Sequence, residues 1–186
     1  MVPLMSLVLP IVLSAVFVFI VSAIVHMVLP IHRNDYRKLP NEDAVLEALR
    51  AARVAKGDYM FPNAASMKDC SSPEMKAKFE RGPVGVMSVF PTGTPQMGKG
   101  PVMWFIYCLV ISLFAGYLAG RTLMPGSDYL AVFRVVGASS FLAYGIGQLP
   151  DSIWRGQSWA TTWKHVADGL VYALVTAGTF GWLWPA

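Results

Sequence analysis

Charged residues are scarce in this chain, at 14% of 186 positions, against about a quarter in ordinary soluble domains. That shortage excludes a water-soluble globule as the architecture of most of the sequence. Cysteine is nearly absent: Cys70 and Cys108 are the only two, so neither a disulfide framework nor a cysteine-based metal motif can be built. The three histidines, His26, His32 and His165, stand far apart in sequence, and no close-spaced ligand motif for metal or haem is legible. No segment repeats elsewhere in the chain, which weighs against an inverted-repeat transporter. Nucleophile motifs are missing too, since Cys70 lies beside Asp69 without a recognisable base.

Apolar residues fill the space that charge leaves, at 55% of the chain. Leu4 to Leu29 contains no ionisable group except His26, and a bilayer core needs only about 20 helical residues. Pro101 to Gly120 forms a second run, Tyr129 to Leu149 a third interrupted by Arg134, and Val166 to Trp184 a fourth that carries Asp168. The first run reads as a retained span and not as a cleaved signal peptide. It lacks a basic leader, exceeds the roughly 7 to 15 residues of a signal core, and continues past the small residues Val21-Ser22-Ala23.

The formal charge of +4 is unevenly placed. Of the 15 Lys and Arg, 11 lie between His32 and Gly100, where 8 of the 11 acids also lie. This describes a mixed solvated surface and excludes a nucleic-acid face. Arg155 and Lys164 share that side of the membrane, while Arg121 and Arg134 lie opposite, a division of 13 against 2. The positive-inside rule then places the 32–100 loop in the cytoplasm and both termini outside, in an inner-membrane setting.

Within that loop, Asn41 is expected to cap a helix from Glu42 to Lys56, with acids in its first turn and Arg50, Arg53 and Lys56 near its end. Tyr59-Met60-Phe61 reads as a strand, Ser72-Pro73 opens a second helix that Gly82 stops, and Val84 to Phe90 is a second strand. An element this small buries little apolar surface by itself and is expected to lean on the membrane-facing ends of the spans. Gly93 to Gly100 partly resembles a phosphate-binding loop, but Gly100 replaces the required hydroxyl residue and Pro95 removes an amide. It reads as a turn-rich lead into the second span. Residues 151–164, with Trp154, Trp159 and Trp163 beside Arg155 and Lys164, form an interfacial segment.

Small residues recur every fourth position in the last three spans. They are Ser112, Gly116 and Gly120; Ser139, Ala143 and Gly147; and Gly169, Ala173, Ala177 and Gly181. Such ladders allow close backbone approach and are expected to be helix-packing faces. The remaining polar residues of interest are His26, His165, Asp168 and Tyr172, a candidate intramembrane cluster at the cytoplasmic boundary. Ionisable groups in spans face protein or water and mark functional sites by default. Asp168 is expected between helices near His26. His32, Asp35, Tyr36 and Arg37 read as a juxtamembrane cap attracted to anionic lipid, and Arg134 as a residue that snorkels or pairs with Asp128.

The chain therefore reads as an all-α integral membrane protein. It has a first transmembrane helix in 1–31, a small cytoplasmic α/β insertion at 32–100, and transmembrane helices 2 to 4 in 101–186, four in all. No cofactor is implied. The expected role is an accessory or scaffolding subunit that contacts the bilayer and a membrane-protein partner or a second copy. The alternative is a small ion-coupled transporter or permease using Asp168, ahead of a membrane-embedded enzyme. The charge asymmetry predicts that Cys70 is cytoplasmic. An impermeant thiol reagent should label it only after intact cells are lysed, and strong labelling before lysis would reverse the orientation.

Overall fold

The computed structural model describes residues 1–94 and 98–186. In chain order the helices and strands are α1 (Val8–Ala23), α2 (Glu42–Ala51), β1 (Gly57–Phe61), α3 (Met67–Cys70), α4 (Pro73–Arg81), β2 (Gly85–Val89), α5 (Lys99–Thr122), α6 (Tyr129–Tyr144), α7 (Leu149–Arg155) and α8 (Trp159–Trp182). They divide into a helical unit, residues 1–35 with 96–186, and a second unit, residues 36–95. The division falls after Asp35 and not after residue 31, because the segment carrying His32 and Asp35 folds back onto α8.

Among the described residues, three helical stretches are long and apolar enough to cross a membrane: Leu4–Val28, Lys99–Thr122 and Tyr129–Arg155. In the helical unit α1 lies beside α5, α5 beside α6, α6 beside α8, and α8 returns to α1. Apolar side chains from all of them meet in the interior, where Leu7, Val18, Val132, Val136 and Phe180 are fully buried.

The small residues act at particular crossings. A Cβ on Gly116 would meet the Phe180 ring at 3.0 Å, one on Gly120 the Val2 carbonyl at 2.8 Å, and one on Gly181 the Tyr129 ring at 2.6 Å. Gly169 makes the tightest backbone approach, since its Cβ would stand 2.5 Å from the backbone of Gly145. Ser112, Ala173 and Ala177 are buried on the same faces. On α6 the ladder residues Ser139 and Ala143 are half-buried, Ala143 against the interior, but they are not the most buried face. The buried stripe there is Val132, Val136, Ser140 and Tyr144, offset by one residue, and Gly137 is the small residue that meets Ala177. Gly147 lies beyond the helix, in a tight turn at Ile146–Gln148, and is exposed. α6 stops at Tyr144, so the expected continuous helix to Leu149 is broken where Gly145 sits against Gly169.

The second unit is an antiparallel pair, Gly57 opposite Val89 and Phe61 opposite Gly85, with short helices before and between the strands. The Ser88 hydroxyl donates to Asp58 across the pair at 2.6 Å. Ser72 caps α4 by accepting from the Met75 amide. Asn41 precedes α2 but makes no side-chain cap, because its backbone is left-handed at φ 50°, a conformation asparagine tolerates. α2 ends at Ala51, short of Lys56, where Arg53 also turns left-handed at φ 54°. Among its described residues none is fully buried. The phosphate-loop resemblance has its centre, Pro95, Gln96 and Met97, outside the described residues.

The glycine crossings give a direct expectation. Gly169→Ala should lower stability in detergent by roughly 1 to 3 kcal/mol through overpacking, and Gly116→Leu should act in the same direction. Gly100→Ala, whose Cβ meets nothing within 4 Å, should not. Equal melting temperatures for Gly169→Ala and Gly100→Ala would refute the close contact.

Candidate functional site

The end of α1 creates the site. After Ala23 the helix widens into a single π turn, Ile24–Val28, which carries His26. Such turns often mark functional positions because they re-aim one side chain. Pro30 then opens a tight 3-10 turn, Pro30–His32, since proline cannot continue the preceding ladder. The chain doubles back far enough for the His32 ring to stack on that of His26, with centroids 4.4 Å apart and planes within 2°.

α8 supplies the opposing wall through residues four apart, which share one face. Lys164 donates to the Ile31 carbonyl at 2.8 Å and to Asp35 Oδ1 at 2.6 Å. One turn on, Asp168 Oδ2 lies 3.0 Å from His32 Nε2. Another turn deeper, the Tyr172 hydroxyl stands 3.5 Å from His26 Nδ1. Within the returning segment, His32 Nδ1 is 2.6 Å from Asp35 Oδ2, and His26 Nδ1 is 3.1 Å from the Ser22 carbonyl. His165 sits at the rim, its Nε2 3.9 Å from Asp35 Oδ2.

Both carboxylates are buried, with side chains 6% exposed for Asp35 and 11% for Asp168. Burial alone would raise the Asp35 carboxyl, but hydrogen bonds from Lys164 and His32 outweigh it and hold the group below the ordinary aspartate value. Asp168 is paired differently. Its Oδ2 and the Nε2 of His32 face each other at ion-pair distance, yet neither atom makes an aligned hydrogen bond.

Beside this corner lies a cavity of about 490 Å³, lined by Phe19, Trp104, Tyr144 and Tyr172 on its aromatic side and by His26, His165 and Asp168 on its polar side. Trp104 from α5 closes the wall by donating to the Ser22 hydroxyl at 2.8 Å. The structure thus brings His26, His165, Asp168 and Tyr172 to one end of the helical unit. It adds His32 and Asp35, read from the sequence as a lipid-facing cap, and Lys164, read as interfacial. The His32–Asp35 spacing directly after Pro30 was the available signal. Trp104 and Ser22 had none. Arg134 is exposed, and Asp128 caps α6 through the Leu130 and Ala131 amides instead of pairing with it.

Among the described residues two ligand sets emerge in which every donor atom lies within 4.8 Å of the others: His26, His32 and Asp168, and His32, Asp35 and His165. Compared with protein families, with curated proteins and with solved structures, the chain matches none.

The Lys164–Asp35 pair should carry much of the stability of this corner, because removing the lysine leaves a buried carboxylate short of a donor. Lys164→Met is expected to cost roughly 1 to 3 kcal/mol, whereas Lys78→Met, which breaks the surface pair with Glu74, should cost about 0 to 1 kcal/mol. Unfolding in detergent compares them, and equal small losses would show that the corner is not held by this pair.

Proposed function

We propose that this chain is a small ion-coupled carrier with four membrane spans, the His26, His32 and Asp168 corner serving as its ion site and the adjoining cavity admitting a small solute. The observation that carries the reading is the cavity itself. At about 490 Å³ it falls within the roughly 300 to 1,000 Å³ typical of small-molecule sites, and its polar wall is the buried carboxylate and imidazoles. Binding or loss of a cation beside the buried Asp168 carboxylate changes the charge of the cavity wall, which alters the affinity of anything in the cavity. That is the linkage a coupled carrier needs.

α8 as a fourth span is supported by its length of 24 residues, about 36 Å at 1.5 Å per residue, against a bilayer core of about 30 Å. Leu170, Val171, Leu174 and Trp182 on its outer face are exposed, as lipid contact requires. Its lower apolarity comes from the stripe that includes Lys164, Asp168, Tyr172 and Thr179. The 13 to 2 division of cations supports placing the site at the cytoplasmic boundary of an inner membrane, with both termini outside.

One observation favours an accessory or scaffolding role as a second reading. Residues 36–94 include no fully buried side chain, and a protein partner or second copy would supply the missing cover.

Access to the cavity separates the readings. In a Cys70→Ser background, where Cys108 is wholly buried, Gln148→Cys places a thiol in the cavity wall. A carrier predicts labelling by an impermeant reagent from either side of sealed vesicles. Labelling from one side alone would defeat the carrier and leave a fixed binding site.

A further inference from the structure

We infer that the corner formed by His26, His32 and Asp168 binds one divalent transition-metal ion of the zinc class, with Asp35 orienting His32 from behind. The inference deepens the carrier reading by naming its ion, and it rests on that reading for what the ion is used for.

The argument begins with the two atoms that face each other without a hydrogen bond. His32 Nε2 and Asp168 Oδ2 are 3.0 Å apart and buried, yet the nitrogen does not aim at the oxygen. A protonated imidazole donating to a carboxylate would aim along that line. Two ligands of one ion behave otherwise, because each lone pair points at the metal, off the line that joins the ligands. For zinc bonds of about 2.0 to 2.1 Å in tetrahedral geometry, ligand atoms stand roughly 3.3 Å apart. The observed edge is close to that value.

The outer atoms agree. The Ser22 carbonyl can only accept, so the contact at 3.1 Å places the proton of His26 on Nδ1. Asp35 Oδ2, at 2.6 Å, likewise places a proton on His32 Nδ1. Both rings therefore present Nε2 lone pairs. A histidine whose far nitrogen is held by a carboxylate is the usual second shell of a metal ligand, and here Lys164 holds that carboxylate in turn. One ring nitrogen of His26 lies within 4.8 Å of the His32 and Asp168 donor atoms, and the exposed His26 side chain must turn out of its stack on His32 to bring its Nε2 lone pair to the same ion.

The rival set of His32, Asp35 and His165 fails on the same arithmetic. Its His32 to Asp35 edge is 2.6 Å, a hydrogen-bond length too short for two ligands near a tetrahedral angle, and Asp35 is already committed to Lys164. Two imidazoles and one carboxylate leave a fourth position of a tetrahedral ion open, and two of the three ligands, His26 and Asp168, also line the cavity. Imidazole donors select zinc-class ions over magnesium or calcium, which prefer all-oxygen sites.

The test uses the full chain in detergent, tag removed and stripped with a chelator, titrated with Co²⁺ as an optical probe and with Zn²⁺ in competition. About one ion per chain should bind, with the visible bands of a four- or five-coordinate cobalt site. His32→Gln and Asp168→Asn should each weaken binding by 100-fold or more, and Asp35→Asn by roughly 10- to 100-fold. Lys78→Met, which breaks only a surface pair with Glu74, should leave affinity unchanged. Absence of stoichiometric Co²⁺ binding by the folded wild-type chain overturns the inference, as does wild-type affinity in both His32→Gln and Asp168→Asn. If the cavity thiol is labelled from both sides but no metal binds, the carrier stands with another ion. Metal binding with one-sided labelling preserves the metal site and removes the carrier.

Discussion

Two buried carboxylates at one end of a helical unit impose the main constraint on this structure. An isolated ionised carboxylate in an apolar setting costs far more than any single packing contact returns, so each must meet cationic or donor groups in close contact. Asp35 does so through Lys164 and His32. This ties the segment after α1 to α8, and the histidine stack and the cavity wall depend on that tie. Asp168 is the less complete case, facing His32 without an aligned bond, and it gives the corner its chemical interest.

Carboxylates alone cannot place themselves. Asp168 points into the site because its neighbour Gly169 lies flat against the Gly145 backbone, which fixes the rotation of α8 about its axis. The stripe Lys164, Asp168 and Tyr172 then faces the returning chain, while Ala173 and Ala177 remain in the packed interior. The same contact coincides with the end of α6 at Tyr144, so one crossing both orients the site and ends a helix. A methyl group at Gly169 acts on the site through geometry, without touching any of its polar atoms.

Much of this was legible in the sequence because periodicity and charge are local properties. The apolar runs marked the three stretches able to cross a membrane, the Ser72-Pro73 pair marked the start of α4, and the approach of Asp168 to His26 followed from matching depths on two helices. Other features depend on backbone choices that no residue type dictates. The π turn at Ile24–Val28 and the fold-back after Pro30 turned His32 and Asp35 inward, although their composition suited a lipid-facing cap. On α6 the small-residue rule selected Ser139, Ala143 and Gly147, yet the packed face is one residue away. There Tyr144 and Val136 fill space against α8 and its neighbours, and the close approaches to α8 fall at Gly137, opposite Ala177, and at Gly145, opposite Gly169. Small-residue spacing identifies where close approach is possible. The partner's bulk decides where it occurs.

The order of residues along α8 also explains why the polar corner lies at a helix end. Lys164, Asp168 and Tyr172 run from a full charge at the rim to an uncharged hydroxyl one turn beyond the carboxylate, so demand for solvation falls as depth increases. The facing residues run in parallel, with Asp35 opposite Lys164, His32 opposite Asp168 and His26 opposite Tyr172. Beyond Tyr172 the cavity wall becomes aromatic, with Trp104, Tyr144 and Phe19. Charges placed deeper would lose hydration that no partner on α5 or α6 could replace, because the buried side chains there are apolar apart from Cys108, Ser112, Ser140 and Tyr144, none of which is a cationic or acidic group. The polar gradient is therefore a consequence of where compensating groups exist, and any occupant of the cavity meets imidazole and carboxylate at one end and aromatic surface at the other.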